Sequence, residues 1–179
     1  MKVESPETFC GDFDLLKYQV MEFRNEHPDH SQFCITSKLG NNNFFEGAGT
    51  CNCPEEYTKL NSYFQDSEIS RLVDRYPDYY RWRILCVGAR KTYSIHHDAW
   101  KTGFKNVRIH VPIITNEESF LVFYENKLMG NGAQRIEHHN LQTNKIYLVD
   151  TSGFHTAVNY HASAERIHIV AERFISHEQ

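Results

Sequence analysis

Apolar residues in the first 79 positions recur at helical spacing. Phe13, Leu16, Val20 and Phe23 lie three and four apart, as do Tyr57, Leu60 and Phe64 and then Ile69, Leu72 and Tyr76, the spacing that lines one face of a helix. Helices are expected there, each packing one apolar face on a sheet. Between the first and second, Lys38 to Cys53 holds Gly40, a triple Asn, Gly47 and Gly49, a composition for loop or irregular strand. From Tyr80 onward the pattern turns to short strands. Trp82 to Val87 and Tyr93 to Ile95 are rich in β-branched and aromatic residues, and turn-forming residues punctuate the rest at 101–105, 116–118, 125–132, 138–144, 150–153 and 160–164. Short strands at this spacing predict a sandwich or barrel. The expected fold is mainly β with N-terminal helices: a double-stranded β-helix, or jelly-roll, core over 80–175, with 1–79 as a helical brace, all in one domain. No internal repeat or low-complexity segment is present.

Composition narrows the classes. A chain of 179 residues with 40% hydrophobic content is long enough to bury a sizeable core. It has no unbroken apolar run of membrane length and no charged-then-apolar leader, so a soluble, cytoplasmic protein with no membrane partner is expected. The formal net charge is −4 and the basic residues are scattered, which argues against nucleic acid as a partner. Five cysteines, at 10, 34, 51, 53 and 86, are an odd number for a disulfide framework and lack a second pair at zinc-site spacing. They are read as reduced thiols.

The chemistry concentrates in His96-His97-Asp98, followed far downstream by His155 and Arg166. Two histidines and one carboxylate on one face of a metal leave positions open for other ligands, the set used by non-haem Fe(II) oxygenases. In a strand, residues two apart share a face, so His96 and Asp98 can bind one ion while His97 points away. His-x-Asp alone is weak, because chance gives about half an instance in a chain this rich in histidine. Indeed His27-Pro28-Asp29 is another, but it closes an expected helix and contains a proline, a poor place for a preorganised pair.

Arg166, eleven residues after His155, is far enough along to turn one hairpin and return on the neighbouring strand toward the same pocket. There it offers a planar, permanently charged, bidentate partner to the far carboxylate of a metal-chelating dicarboxylic acid. Arg108-Ile109-His110 and Arg166-Ile167-His168 are the same tripeptide, and alternation puts Arg and His on one face and Ile on the other. Trp100, two residues beyond the metal motif, and Arg83 are candidates for touching substrate. Asp150 to Gly153 reads as a turn, and His138-His139 as solvent-facing.

Tyr-Ser-Ile-His-His-Asp from Tyr93, Arg-Ile-His-Val-Pro-Ile-Ile-Thr-Asn from Arg108, Val-Asp-Thr-Ser-Gly-Phe-His-Thr-Ala-Val-Asn from Val149 and Arg-Ile-His-Ile-Val from Arg166 together carry a resemblance. The run from Tyr93 to Arg173, a little under half the chain, resembles the aspartyl/asparaginyl β-hydroxylase family of Fe(II)/2-oxoglutarate dioxygenases, which includes proline hydroxylase-like members. The resemblance implies a cupin-like core in which His96, Asp98 and His155 bind iron. It implies that Arg166 binds the distal carboxylate of 2-oxoglutarate, and that Arg108 and His110 also reach this cosubstrate. Vertebrate-type aspartyl hydroxylases lack the acidic ligand, so Asp98 draws the comparison toward the full-triad members. The implied reaction takes 2-oxoglutarate and O2 to succinate and CO2 while hydroxylating an Asp-, Asn- or Pro-like group in an amino acid, peptide or protein.

Two other readings compete. A zinc-dependent hydrolase uses histidines in the same way but leaves Arg166 without a task, and a non-catalytic jelly-roll binding module needs neither ligands nor clamp.

Overall fold

The computed structural model describes residues 2–49, 51, 53–98, 103–125 and 135–176, with 135 and 136 in backbone alone. Two of the amphipathic segments, each with a capping residue in front, become helices. In α1 (Phe13–Glu26) the Asp12 carboxylate accepts the Leu15 N–H at 3.0 Å, and Leu16, Val20 and Phe23 are buried. In α2 (Glu68–Arg75) Ser67 and Ser70 cap each other reciprocally, and Ile69 and Leu72 are buried. Each cap satisfies N–H groups that the first helical turn leaves without partners.

The expected helix over Tyr57 to Phe64 does not form. A 3-10 turn at Pro54–Glu56, a two-residue strand and a second 3-10 turn at Ser62–Phe64 replace it. Asn61 is the reason. Fully buried, its amide donates to the Cys34 carbonyl at 2.8 Å, and its Oδ1 accepts from Ser37 at 2.7 Å and from the Asn42 N–H at 3.1 Å. These bonds tie the segment to chain 19 to 27 residues away, and such tertiary context overrides a helical spacing.

The strands are β1 (Glu7–Thr8), β2 (Gln32–Cys34), β3 (Thr36–Ser37), β4 (Lys59–Leu60), β5 (Tyr80–Val87), β6 (Lys91–Thr92) and β7 (Phe104–Ile114), then β8 (Ser119–Tyr124), β9 (Arg135–His139), β10 (Lys145–Asp150), β11 (His155–Asn159) and β12 (Arg166–Ser176). A six-stranded sheet runs β1-β10-β7-β12-β5-β2 and a four-stranded sheet β6-β11-β8-β9, while β3 pairs with β4. All named pairs are antiparallel. The two larger sheets pack as a jelly roll. The segment before residue 80 does more than brace it, since β1 and β2 form both edges of the six-stranded sheet.

The alternation expected for the repeated tripeptide holds. Ile109 and Ile167 join Trp82, Ile84, Ile169 and Ala171 in a core that the helices cover with Leu16, Val20, Phe23, Ile69 and Leu72. On the opposite face, Val87, Tyr147 and Val149 pack against Leu121, Phe123 and Ala157 of the smaller sheet. Arg108, His110, Arg166 and His168 are all buried on that inner side, at a depth where unpaired charge is expensive. The two tripeptides do not oppose each other. Antiparallel pairing sets Arg108 against Glu172 and His110 against Val170, leaving Arg166 at the far end of β12 beside Val87.

Two local expectations change. Tyr93 to Ile95 is not a strand, and His96 makes only an isolated bridge. His155 and Arg166 are not joined by a hairpin: β11 and β12 belong to different sheets, so the intervening chain crosses from one layer to the other and the two side chains meet across the interior. No described helix is long and apolar enough to cross a membrane.

Candidate metal centre

His96 and His155 are brought together by backbone pairing. Across their bridge the His96 N–H donates to the His155 carbonyl at 3.0 Å, and the His155 N–H to the His96 carbonyl at 2.8 Å. Two residues on, the Asp98 N–H donates to the Thr151 carbonyl at 3.1 Å, while the Thr151 N–H donates to the Asn106 carbonyl at 3.0 Å. The Asp150 to Gly153 segment is a turn, as expected, closed by the Ser152 N–H on Asp150 Oδ1 at 3.0 Å. Its backbone nevertheless anchors Asp98.

The ring nitrogens settle which atoms face inward. Nδ1 of His96 lies 2.8 Å from the Ser94 carbonyl and Nδ1 of His155 lies 2.9 Å from the Gly153 carbonyl. A carbonyl only accepts, so each ring carries a hydrogen on Nδ1, which leaves Nε2 as the atom able to take a metal. Those Nε2 atoms lie 3.7 Å from Asp98 Oδ1 and 3.3 Å from Asp98 Oδ2 respectively, and the three ligand atoms fall within 4.8 Å of one another. Three lone-pair donors facing one another call for a cation among them, and carbonyl acceptors on the remote nitrogens are how proteins orient metal-ligating histidines. The residues fit a divalent metal such as Fe(II). Among the described residues, no other such group of three forms.

Electrostatics hold Asp98 ionised. Burial by itself pushes its carboxyl up, but the Arg108 guanidinium, with Nη1 2.9 Å from Oδ2, and the two histidines hold it well below the usual carboxylate range. Burial also lowers His96, with His155 adding to the effect. Arg108 reaches back to Glu172, where Nη2 is 3.5 Å from Oε2. The structure thus places Arg108 between two protein carboxylates, as a brace on Asp98. Glu172, fully buried, also accepts from Arg81 at 2.7 Å and from Asn106 at 3.0 Å, and has Arg83 Nη2 at 3.7 Å. Burial raises its carboxyl, but Arg108, Arg83 and Arg81 bring it down to about 2.

Arg166 differs from these. It is 3% exposed, and among the described residues no carboxylate pairs with it. Its Nη2 lies 3.1 Å from His168 Nδ1, which in turn is 3.4 Å from His110 Nδ1. Burial lowers Arg166 to about 10, still charged at neutral pH. Burial and the Arg166 charge hold His110 and His168 well below the ordinary imidazole value, so both are neutral. Their Nε2 atoms have no hydrogen-bond partner among the described residues.

A cavity of about 360 Å³ joins these groups. His96, Asp98 and His155 border it together with Arg83, Arg108, His110 and Arg166 from the six-stranded sheet, and Leu121 and Ala157 from the other. Of the remaining expectations, Trp100 lies outside the described residues. His97 is exposed at the cavity rim with its ring 5.2 Å from Phe154. His138 is exposed, whereas His139 is half-buried beside Glu137 at 3.3 Å. His27 of the decoy His-x-Asp stacks on Phe23 and bonds its carbonyl. All five cysteines are free.

Sequence reasoning missed Glu172 and Arg81. For Glu172 the signal was parity, since it shares a face with Arg166 and His168 along β12; Arg81 had none, because it lies in an irregularity of β5 at φ 52°, where alternation is interrupted.

No protein-family model matches this chain, and no curated protein matches it in sequence. Similarity appears in three dimensions. AviO1 from Streptomyces viridochromogenes Tue57 superposes with a TM-score of 0.59 at 10% identity, over 98% of this chain and 90% of AviO1. The epimerase SnoN from nogalamycin biosynthesis, described as non-heme and alpha-ketoglutarate-dependent, has been solved in complex with Fe3+, alpha-ketoglutarate and nogalamycin RO. That complex matches with a TM-score of 0.55 at 11% identity, over 98% of this chain and 79% of SnoN. The nickel complex of the non-heme monooxygenase ThoJ matches with a TM-score of 0.50 at 8% identity, over 98% and 74%. At such identities the likeness is one of architecture, and this chain shares its jelly-roll fold with those proteins.

Proposed function

We propose that this chain is an Fe(II)- and 2-oxoglutarate-dependent dioxygenase that hydroxylates an Asp-, Asn- or Pro-like group of a free amino acid, peptide or protein. The observation that carries the reading is Arg166: a buried cation without a carboxylate partner among the described residues, bordering the same cavity as His96, Asp98 and His155. A zinc hydrolase or a passive binding module has no use for that cation. The iron-bound and alpha-ketoglutarate-bound state described for SnoN supports the same assignment on a shared fold.

Bound iron with 2-oxoglutarate supplies oxidative decarboxylation to succinate and CO2, coupled to oxidation of a substrate C–H by O2. The chain's own residues do the rest. His96 and His155 offer Nε2 because Ser94 and Gly153 hold the other nitrogens, and Arg108 keeps Asp98 ionised and oriented. Arg166 pairs with the distal carboxylate of the cosubstrate, oriented by His168. The apolar walls at Leu121 and Ala157 exclude water from the reacting end, which strengthens each charge interaction inside.

The test is anaerobic addition of Fe(II) to metal-free protein with and without 2-oxoglutarate, recording the visible charge-transfer absorption of the chelate. Wild type should show the band and His155→Ala should lose it. Arg166→Gln should need about 10- to 100-fold more 2-oxoglutarate, the loss of a charge-assisted pair. Absence of the band in folded, iron-loaded wild type overturns the assignment.

A further inference from the structure

We infer that residues 47–49, in the loop between β3 and β4, form a strap across the mouth of the cavity, and that Arg81 is the positioning residue that ties it down and so sets how fast molecules reach the metal centre. This rests on the cavity's geometry, with the reading above entering only in the choice of 2-oxoglutarate as probe. On the cavity wall the exposed residues, among those described, are Gly49, Ser94 and His97. The opening to solvent therefore lies between the strap and the segment that leads into the metal ligands. Neither helix nor strand includes residues 47–49. Two side chains of the cavity wall, buried Arg81 and half-buried Gln32, hold them instead. Arg81 donates through Nε to the Gly47 carbonyl at 2.8 Å and through Nη2 to the Gly49 carbonyl, while Gln32 Oε1 accepts the Gly49 N–H at 3.0 Å.

The two ends of the strap are held differently. A Cβ on Gly47 would lie 2.6 Å from the Tyr57 ring, whereas one on Gly49 would meet nothing within 4 Å. Gly47 is thus wedged against Tyr57, and Gly49 is kept in place by hydrogen bonds with open space beside it. A segment secured by a few side-chain bonds and little packing is one that opens locally. The strap swings at Gly49 when the Arg81 and Gln32 bonds let go, with Gly47 as the fixed end.

The backbone of Arg81 is shaped for this hold. Tyr80 pairs with Glu172 and Arg83 with Val170, so β5 has two residues where β12 has one, a bulge of the kind that re-aims a side chain. Arg81 is one of the two, at φ 52°, a conformation that a non-glycine residue seldom adopts and that the surrounding structure must sustain. Its N–H donates to the Tyr57 carbonyl at 2.8 Å, so the same residue secures the ring against which Gly47 sits. Glu172 alone does not call for Arg81, since Arg83 and Arg108 already stand beside that carboxylate. What Arg81 adds is its reach to two carbonyls of the strap. Its third nitrogen, Nη1, lies 2.7 Å from Glu172, which is 3.5 Å from Arg108, which in turn is 2.9 Å from Asp98. A continuous line of charged pairs therefore places Arg81 by the same cluster that braces a metal ligand.

A strap must open on the way in and on the way out, so it sets rates and leaves the equilibrium alone. The experiment compares wild type with Arg81→Lys, which keeps the charge beside Glu172 but cannot span two carbonyls, and with Gln32→Ala, which releases Gly49 from the other side and leaves Arg81 and Glu172 in place. Hydrogen exchange of the Gly49 N–H, which is bonded to Gln32 and not to Arg81, should be about tenfold faster in Arg81→Lys, the effect of one lost charge-assisted bond. Mixed anaerobically with 2-oxoglutarate, the Fe(II)-loaded forms of both variants should gain the chelate band, and lose it on dilution, about three- to tenfold faster than wild type, with affinity within about twofold. Unchanged exchange in Arg81→Lys, unchanged rates in both variants, or an affinity loss without faster association overturns the proposal; should Arg81→Lys not fold, the rates of Gln32→Ala decide alone. Failure of 2-oxoglutarate to bind wild type instead removes the dioxygenase reading. The strap is then judged by the rate at which EDTA strips Mn(II), which should rise in both variants and overturns the proposal if it does not.

Discussion

At the scale of single residues the interior contains two kinds of buried charge, and they should respond oppositely to removal. Glu172 compensates Arg81, Arg83 and Arg108. Glu172→Gln leaves those cations without their shared partner and should lower the unfolding free energy by about 3–5 kcal/mol, the cost of breaking a buried ion-pair network on one side. Arg166 compensates nothing in the described protein. Arg166→Met should raise the stability of the metal-free protein by about 1–3 kcal/mol, because it removes a desolvated and unpaired cation, while weakening 2-oxoglutarate. Chemical denaturation of both variants against wild type measures the pair of effects. A destabilised Arg166→Met would mean that the cation is structural and would weaken the case for a carboxylate ligand. Stability given up at a ligand-facing position is common at functional sites.

At the scale of elements, β11 carries the geometry between sheets. Its first residue, His155, bonds across to His96, and its last, Asn159, ties together three other segments. The fully buried Asn159 amide donates to the Val87, Gly88 and Ala164 carbonyls at 3.0, 3.2 and 2.7 Å, and its Oδ1 accepts from Ser119 at 3.0 Å and Asn116 at 3.2 Å. One side chain thereby joins the end of β5, the start of β8 and the turn into β12. Asn159→Ala leaves several of these buried groups unpaired, at about 1–3 kcal/mol each. An overall loss of about 2–4 kcal/mol is expected, with Mn(II) affinity little changed, since the His155 end of the strand keeps its own backbone bonds. Urea unfolding together with a metal titration distinguishes the two ends, and a large loss of metal affinity would show that Asn159 sets the ligand spacing. Asn159 was legible only as a member of a motif, because its bonding partners come from strands scattered over more than seventy residues.

At the scale of the whole molecule, stability should fall steadily with acid. His110 and His168 are held neutral, with folded values below the unfolded value of about 6.5. Their contribution is therefore complete above about pH 6.5 and is lost as pH drops toward the folded values, at about 1.4 kcal/mol per pH unit for each proton taken up. Glu172, at about 2 when folded against about 4.3 unfolded, adds stability above about pH 4.3 that disappears as pH falls to about 2. Denaturation of metal-free protein from pH 8 to pH 3 should show both stages, and a His110→Gln/His168→Gln variant should flatten the first; an unchanged upper slope would place the proton uptake elsewhere. The sequence by itself determined the local and periodic facts. α1, α2 and the inward-facing Arg and His of the repeated tripeptide follow from spacings of three to four and of two, which depend only on backbone geometry. His96 and Asp98 do face one position, but through backbone bonds to His155 and Thr151 rather than through strand alternation. What tertiary structure alone decided is everything that needed the two sheets laid face to face. It brought His155 opposite His96, assigned Arg108 to Asp98 and Glu172, and left Arg166 without a carboxylate partner among the described residues. Alternation says which face a side chain takes but carries no information about which distant strand that face will meet, and the pairing of charges is settled by distance and burial once the strands are in place.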